Sequence, residues 1–519
     1  MRTCFYMDPL TVDPRKNGDL YSSAFLFMLY DGLTHLLPTG KVELSLAKSV
    51  DISPDGKVYV FTLRQAFWSD GHSITAHDFE YSWKKTLDPQ FCSTCPQLFF
   101  PIKNAELALT GKIDLDEVAI HALDEETLRV ELTHPTPYFL SLVSSCNFFP
   151  IPKHIAETKP DWDQIPAQKL TISGPFQLIR WEKRKEIILA KNPFYWNAKN
   201  TTLSELKISI VSNEYTTLDM FENDELDLVS FALSSIPLNA LKTYHRTGQL
   251  QLLPMGSTAF CAFNLHQFPF TNQNIRKAFS YAVDREKLVT EITQLNEIPA
   301  TRCIPPILDQ NINYQIIPPY SEALAKSHLH KGMAELGIPF DVSNLQFRLF
   351  LDHLTLTYDE TQTSRNVAQA LQEQWSRVLG FKVKLQFQKY HMQMENILNG
   401  TYAITLSTWL AQYTEPMNIL ERFKYKKLKK NFPRFENEEY IQLLNQSFQE
   451  DQEKRQAILL KAEKLLMEQM PIAPLFHFNF AIIKKPAVSG VEISPTGVVQ
   501  FKHAKMKQAE IQTIQTAAV

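Results

Sequence analysis

The run Trp409-Leu410-Ala411-Gln412-Tyr413-Thr414-Glu415-Pro416 gathers an indole, an amide, a phenol and a carboxylate in one short stretch. These groups recognise ligands by stacking and hydrogen bonding rather than by making bonds. Other residues with chemical potential point nowhere sharper. Cys92-Ser93-Thr94-Cys95 has the spacing of a redox or metal pair, but no second pair and no histidine stands at ligand distance. That leaves a loop disulfide or two free thiols. His72 and His77 fall in a turn and at a helix start, and no metal role is expected of either. The chain contains no G-x-S-x-G, no H-E-x-x-H, no phosphate loop and no dinucleotide fingerprint, and no pair of its many carboxylates is singled out by spacing. The expectation is a binding protein, not an enzyme, with no catalytic residue, metal site or cofactor.

The elements that must position these groups alternate between strands and helices, which argues for a mixed α/β fold. Tyr402–Leu410 is a run of β-formers that reads as a buried strand, and it delivers the aromatic-polar run as a loop stopped by Pro416. Lys57–Arg64 alternates as a strand after the turn Ser53-Pro54-Asp55-Gly56. Thr75-Ala76-His77-Asp78 fits a capping box, opening a helix with Phe79, Trp83 and Leu87 on one face. Asn274–Val289 reads as one capped amphipathic helix, with Ile275, Ala278, Phe279, Ala282 and Val283 inward. Asn366–Gly380 and Lys454–Met470 are further helices. Phe381–Phe387 alternates strictly, as a strand should, and Cys4–Met7 is a short strand candidate. Ala504–Val519 reads as a polar helical tail.

At 519 residues the chain is too long for a single core, so two or three domains are expected. Hydrophobic residues make up 44% and charged residues 21%, which is ordinary for a folded soluble protein. A net charge of −3 gives no bulk reason to expect nucleic acid as a partner. No apolar run reaches the length of a membrane span. With 15 glycines against 30 prolines, many turns must be built on proline. Six cysteines are too few for a disulfide scaffold. The basic segment Arg422–Arg434 reads as a solvated face, with anionic lipid or a membrane protein as the other reading.

Several segments, in order along the chain, resemble the extracellular solute-binding proteins of family 5, the oligopeptide, dipeptide and nickel binders of ABC importers. WSDGHSITAHDFEYSW, from Trp68 to Trp83, is similar to that family's W-S-D-G-x-x-[VI]-T-A-x-D-F-x-Y-S-W. Gly174-Pro175-Phe176 with Asn192-Pro193-Phe194-Tyr195-Trp196, Phe263-Asn264 through Asp284-Arg285, and Met470–Phe476 continue the resemblance. The Trp409 loop itself is similar to the family's G-W-x-x-D-Y-x-E-P, and the oligopeptide-binding members are the nearest in pattern.

The resemblance implies a two-lobed periplasmic-binding-protein-like α/β fold, with an extra domain inserted in lobe one and a ligand cleft between the lobes. Lobe one would be 1–37, 171–255 and 479–519, the inserted domain 38–170, and lobe two 256–478. Hinge crossings would lie near Gly256–Phe263 and Phe476–Phe480. The implied partners are a peptide or peptide-like ligand and the permease subunits of an importer, with the protein acting as a monomer. The implied location is the periplasm, or a tether outside the cytoplasmic membrane, with a signal peptide encoded upstream of the sequence in hand. Implied ligand contacts are Trp409, Gln412, Tyr413 and Glu415, and along one strand Ala259, Phe260, Cys261, Ala262 and Phe263. In the family, the aspartate of the loop pairs with a peptide's α-amine. Gln412 stands at that position here, and apolar Ile397 and Leu406 stand near where basic residues would be. A non-standard ligand, such as a murein-derived peptide, a metal chelate or a modified amino acid, is therefore the alternative.

Overall fold

A computed structural model describes residues 1–91, 93–164, 169–230, 233–234, 236–309 and 315–507. The chain divides into two compact units, one formed by 1–251 with 480–519 and the other by 252–479.

In the first unit, the Arg2–Phe5 strand pairs in parallel with Glu205–Ile210, which continues antiparallel through Glu186–Lys191 to Phe176–Glu182. A second four-stranded sheet runs in the order Ala47–Ile52, Val58–Leu63, Thr127–Glu131, Ile120–Ala122. Val58–Leu63 is the predicted alternating strand, with Tyr59, Phe61 and Leu63 buried. The Ala76–Thr86 helix opens with the predicted capping box of Thr75 and Asp78, and its Phe79 and Trp83 are buried.

The sequence motifs of this unit are mostly scaffolding. Asp78 also accepts from the Trp68 indole and from the Lys153 amide. Trp83 Nε1 donates to the Phe148 carbonyl at 2.8 Å. Asp31 Oδ2 gathers the Tyr195 hydroxyl, the Trp196 indole and the Ser45 hydroxyl at 2.7–3.0 Å. Gly174 sits so close to the end of the Leu20–Leu29 helix that a Cβ there would lie 2.5 Å from Leu29 C and Tyr30 N.

The second unit is built on a sheet whose strand order is Ile472–Lys484, Leu250–Phe263, Ile404–Leu410, Thr355–Tyr358, Lys384–Phe387, while the first-unit end of Ile472–Lys484 pairs with Leu228–Ser230 of the first unit. Leu250–Phe263 and Ile472–Lys484 each carry the chain across a boundary between the units. Helices Gln362–Leu379 and Gln452–Gln469 match their predicted spans closely, the first ending on left-handed Gly380.

Three local expectations need correction. The helix expected over Asn274–Val289 is capped by Asn272, runs only over Gln273–Tyr281 and then breaks. Asp284 caps a new start by accepting from the Lys287 amide. Arg285 then turns inward and donates to the Pro474 carbonyl and the Ser280 hydroxyl. The five predicted inward residues are all buried, so periodicity survived the break. Phe381–Phe387 is a strand only over Lys384–Phe387, at the edge of the sheet and mostly exposed. The described start of the tail is not helical: Ala504 is buried and Lys505–Met506 pairs as a strand with Val488–Ser489. The rest of the tail, 508–519, lies outside the described residues, as does Cys92 of the C-x-x-C pair.

Candidate ligand-binding site

The Ile404–Leu410 strand pairs antiparallel with Leu250–Phe263, in a register that sets Phe260 opposite Ser407 and Thr258 opposite Trp409. Trp409 is therefore diagonal to Phe260 on the same face, and their ring centroids lie 4.0 Å apart. Phe423 and Phe432 complete the aromatic cluster at 4.9 and 5.7 Å from the Trp409 ring. Trp409 is only 3% exposed, yet its Nε1–H meets no acceptor among the described residues. A buried donor left unpaired carries a desolvation penalty, so an indole N–H in that state is poised to donate.

Period-two alternation splits the predicted strand residues between two faces. Phe260 and Ala262 share the Trp409 side. Ala259, Cys261 and Phe263 point the other way, where Phe263 packs against Phe270 and Phe279 of the core. All five are buried. The Cys261 thiol is pushed far above its ordinary range by burial. The sheet order puts this strand between Ile404–Leu410 and Ile472–Lys484, so neither of its edges is an outer edge of the sheet. Addition of an extended ligand to Ala259–Phe263 as a new strand is blocked by the strand's own neighbours.

Beyond Leu410 the loop is tied down by its own polar groups. The Ala411 amide extends the ladder to the Gly256 carbonyl, and the Gln412 amide donates to Asn418 Oδ1. Tyr413 is buried, and its hydroxyl donates to Glu421 at 2.9 Å. Pro416 launches the short Met417–Leu420 helix, and Glu415 accepts from its Met417 amide. The other oxygen of Glu415 accepts from Arg455 at 2.7 Å. Glu415 is thus committed to the scaffold.

Burial dominates the electrostatics here. It raises the Glu421 carboxyl from 4.5 to about 7, against the lowering effects of the Tyr413 hydroxyl and Arg422. It raises Glu415 as well, opposed by Arg455. It lowers the Arg422 guanidinium to about 10. Arg422 opens the basic segment that sequence alone reads as solvated, but it is buried, donates to the Leu410 and Asn418 carbonyls, and lies 5.6 Å from the Trp409 ring. The exposed basic residues of that segment are Lys426, Lys427, Lys429 and Lys430.

The structure thus brings Trp409, Phe260 and Ala262 to one face, and holds Gln412 and Tyr413 in the adjoining loop. Sequence reasoning missed Asn418, Glu421, Arg422 and Arg455. Asn418, Glu421 and Arg422 stand within the turn after Pro416 and could have been weighed with it. Arg455 lies far along the chain, on another helix, and carried no signal.

Comparison with known proteins adds an independent line. Residues 41–431 match the model described as bacterial extracellular solute-binding proteins, family 5 Middle. The chain is 33% identical over 506 residues to the oligopeptide-binding protein OppA of Bacillus subtilis, covering 96% of this chain and 91% of that one. It is 31% identical over 506 residues to the dipeptide-binding protein DppE of the same organism, covering 96% and 90%. Among solved structures, the murein tripeptide binding protein MppA of Escherichia coli superposes with a TM-score of 0.82 at 26% identity, covering 98% of each chain.

Proposed function

The chain belongs to the bacterial extracellular solute-binding proteins of family 5, and on that premise we propose that it captures peptides and delivers them to the membrane permease of an ABC importer. The observation that carries this reading is near full-length similarity to two relatives named for oligopeptide and dipeptide binding. It works outside the cytoplasmic membrane as a monomer and is not an enzyme. No helix among the described residues is long and apolar enough to cross a membrane.

Trp409, Gln412 and Tyr413, with Phe260 and Ala262 on the strand beside them, are the residues we assign to the ligand. The support is the buried, unpaired indole N–H of Trp409, for which a ligand carbonyl would be a fitting acceptor. Glu415 is left to the scaffold because Arg455 already occupies it. Lobe one is taken as 1–37, 171–255 and 479–519, the inserted domain as 38–170 and lobe two as 256–478. Two observations support that division: the unit boundaries after Gln251 and after Asn479, and a separate four-stranded sheet lying wholly within 47–131.

The test is mass spectrometry of whatever the protein retains through gentle purification, followed by calorimetry with synthetic peptides on the stripped protein. A retained peptide mixture and saturable peptide binding are expected. Retention of a single chelate or modified amino acid, or turnover of a bound compound, would overturn the peptide reading.

A further inference from the structure

Away from the ligand loop, the fold assembles Asp70, His72 and His154 into one cluster at the surface of the first unit. The His154 Nε2 lies 2.7 Å from Asp70 Oδ2, and His72 Nδ1 lies 3.2 Å from Asp70 Oδ1. The two imidazoles stack with centroids 4.2 Å apart. One donor atom from each of the three residues falls within 4.8 Å of the others, and this is the one such group among the described residues. Spacing along the chain offers His72 no partner ligand. The fold supplies His154 from a distant segment, and His77 does not join.

The backbone holds the three ligands in place. Trp68–Gly71 is a closed turn, with the Gly71 amide donating to the Trp68 carbonyl and Gly71 at φ +92°. The His72 amide donates to Asp70 Oδ1, and its carbonyl accepts from the Trp68 amide, so Asp70 and His72 are fixed together. His154 rides on the Lys153–Ala156 turn of helix, whose first amide is held at 3.0 Å by Asp78 Oδ1. Thr171 Oγ1 lies 3.5 Å from Asp70 Oδ2.

We infer that Asp70, His72 and His154 form a binding site for a divalent transition-metal ion of the zinc type. Two imidazole nitrogens and one carboxylate oxygen are the donor set that Zn²⁺, Co²⁺ and Ni²⁺ accept, with water completing the shell. Donors about 2.1 Å from a shared tetrahedral centre lie about 3.4 Å apart. The two separations from Asp70, 2.7 and 3.2 Å, are both shorter than that spacing, and no pair of donor atoms exceeds it by more than about 1.4 Å, so side-chain adjustment alone would set the shell.

The experiment is a Zn²⁺ titration by competition with a chromophoric chelator, on protein without affinity-tag histidines and with Cys95→Ser to remove the partly exposed thiol. Co²⁺ is added in parallel to read its visible absorption. Saturable binding of a single ion is expected, with a rise in melting temperature on adding Zn²⁺. His72→Gln and His154→Gln should each weaken binding by about tenfold or more and abolish the Co²⁺ band, while His77→Gln changes neither. His72 is mostly exposed, so its variant should fold normally, which circular dichroism would verify. No saturable binding, or equal binding in wild type, His72→Gln and His154→Gln, would overturn the inference and leave the cluster as a hydrogen-bonded ladder.

Discussion

Arg455 Nη2 lies 2.7 Å from Glu415 Oε1, joining the Gln452–Gln469 helix to the loop that leaves the Ile404–Leu410 strand. The Arg455 side chain is 3% exposed and that of Glu415 14%. Removing one partner strands a charge away from water, which costs about 3–5 kcal/mol. Glu415→Ala should therefore lower the melting temperature by several degrees, and Glu415→Ala with Arg455→Met should recover part of the loss. A Glu415→Ala protein that melts like wild type but no longer binds peptide would reassign Glu415 from scaffold to ligand.

Gln412 governs the ligand's amino end if the loop keeps the family register. A carboxylate about 4 Å from an ammonium contributes on the order of 4 kcal/mol at an effective dielectric near 20, before desolvation is counted. A neutral amide offers a dipole and hydrogen bonds but no net charge. Gln412→Asp should raise affinity for peptides with a free amine by about tenfold, a gain of about 1.4 kcal/mol, and leave N-acetylated peptides unchanged. Calorimetry with matched peptides on both proteins decides it. No difference between the two proteins would place the amine elsewhere.

Trp409→Phe separates the two roles of that residue. A phenyl ring keeps most of the packing on Phe260, Phe423 and Phe432 but removes the indole N–H. If that N–H donates to the ligand, affinity should fall by about tenfold, the size of one good hydrogen bond, with a small change in melting temperature. Equal affinity in the two proteins would assign Trp409 to the core alone.

The Glu421 carboxyl titrates near 7 in the folded protein, against 4.5 as its ordinary value. The folded state holds this proton more tightly than the unfolded chain does. Its contribution to stability is present in full below about pH 4.5 and is lost as pH rises toward 7. Glu421→Gln keeps an acceptor for the Tyr413 hydroxyl but cannot ionise. The variant should match wild type near pH 4.5 and exceed it at pH 8, by about 3 kcal/mol at the upper limit. Urea midpoints of both proteins at the two pH values are the measurement; identical midpoints at pH 8 would refute the assignment.

Gly174→Ala should destabilise the first unit, because the added Cβ would meet Leu29 and Tyr30 backbone atoms at 2.5 Å. Backbone cannot swing aside as a side chain can, so the loss should reach about 3 kcal/mol, the upper end for overpacking. A melting curve that superposes on wild type would show that the chain there shifts freely.

Local patterns carried much of the fold in the sequence itself. The capping box at Thr75 and Asp78, the alternation of Val58–Leu63, and the helices ending at Gly380 and near Met470 depend on residues a few positions apart, and all were legible. The break after Tyr281 was not, because it depends on Arg285 reaching the Pro474 carbonyl. The family, too, was written in the chain, through motifs whose residues turn out mostly to hold one another: Trp68 and Asp78, or Tyr195 and Trp196 on Asp31.

What tertiary structure decided was how each chemical group is used. The sequence showed an aromatic-polar loop after a strand. Pairing register put Trp409 on Phe260, sheet order closed both edges of Ala259–Phe263, and Arg455 claimed Glu415. The same holds for His72, which acquires His154 only when two remote turns meet. Hydrogen bonds and ion pairs act over about 3 Å, and the sequence separation of two groups says nothing of that distance until the chain has folded.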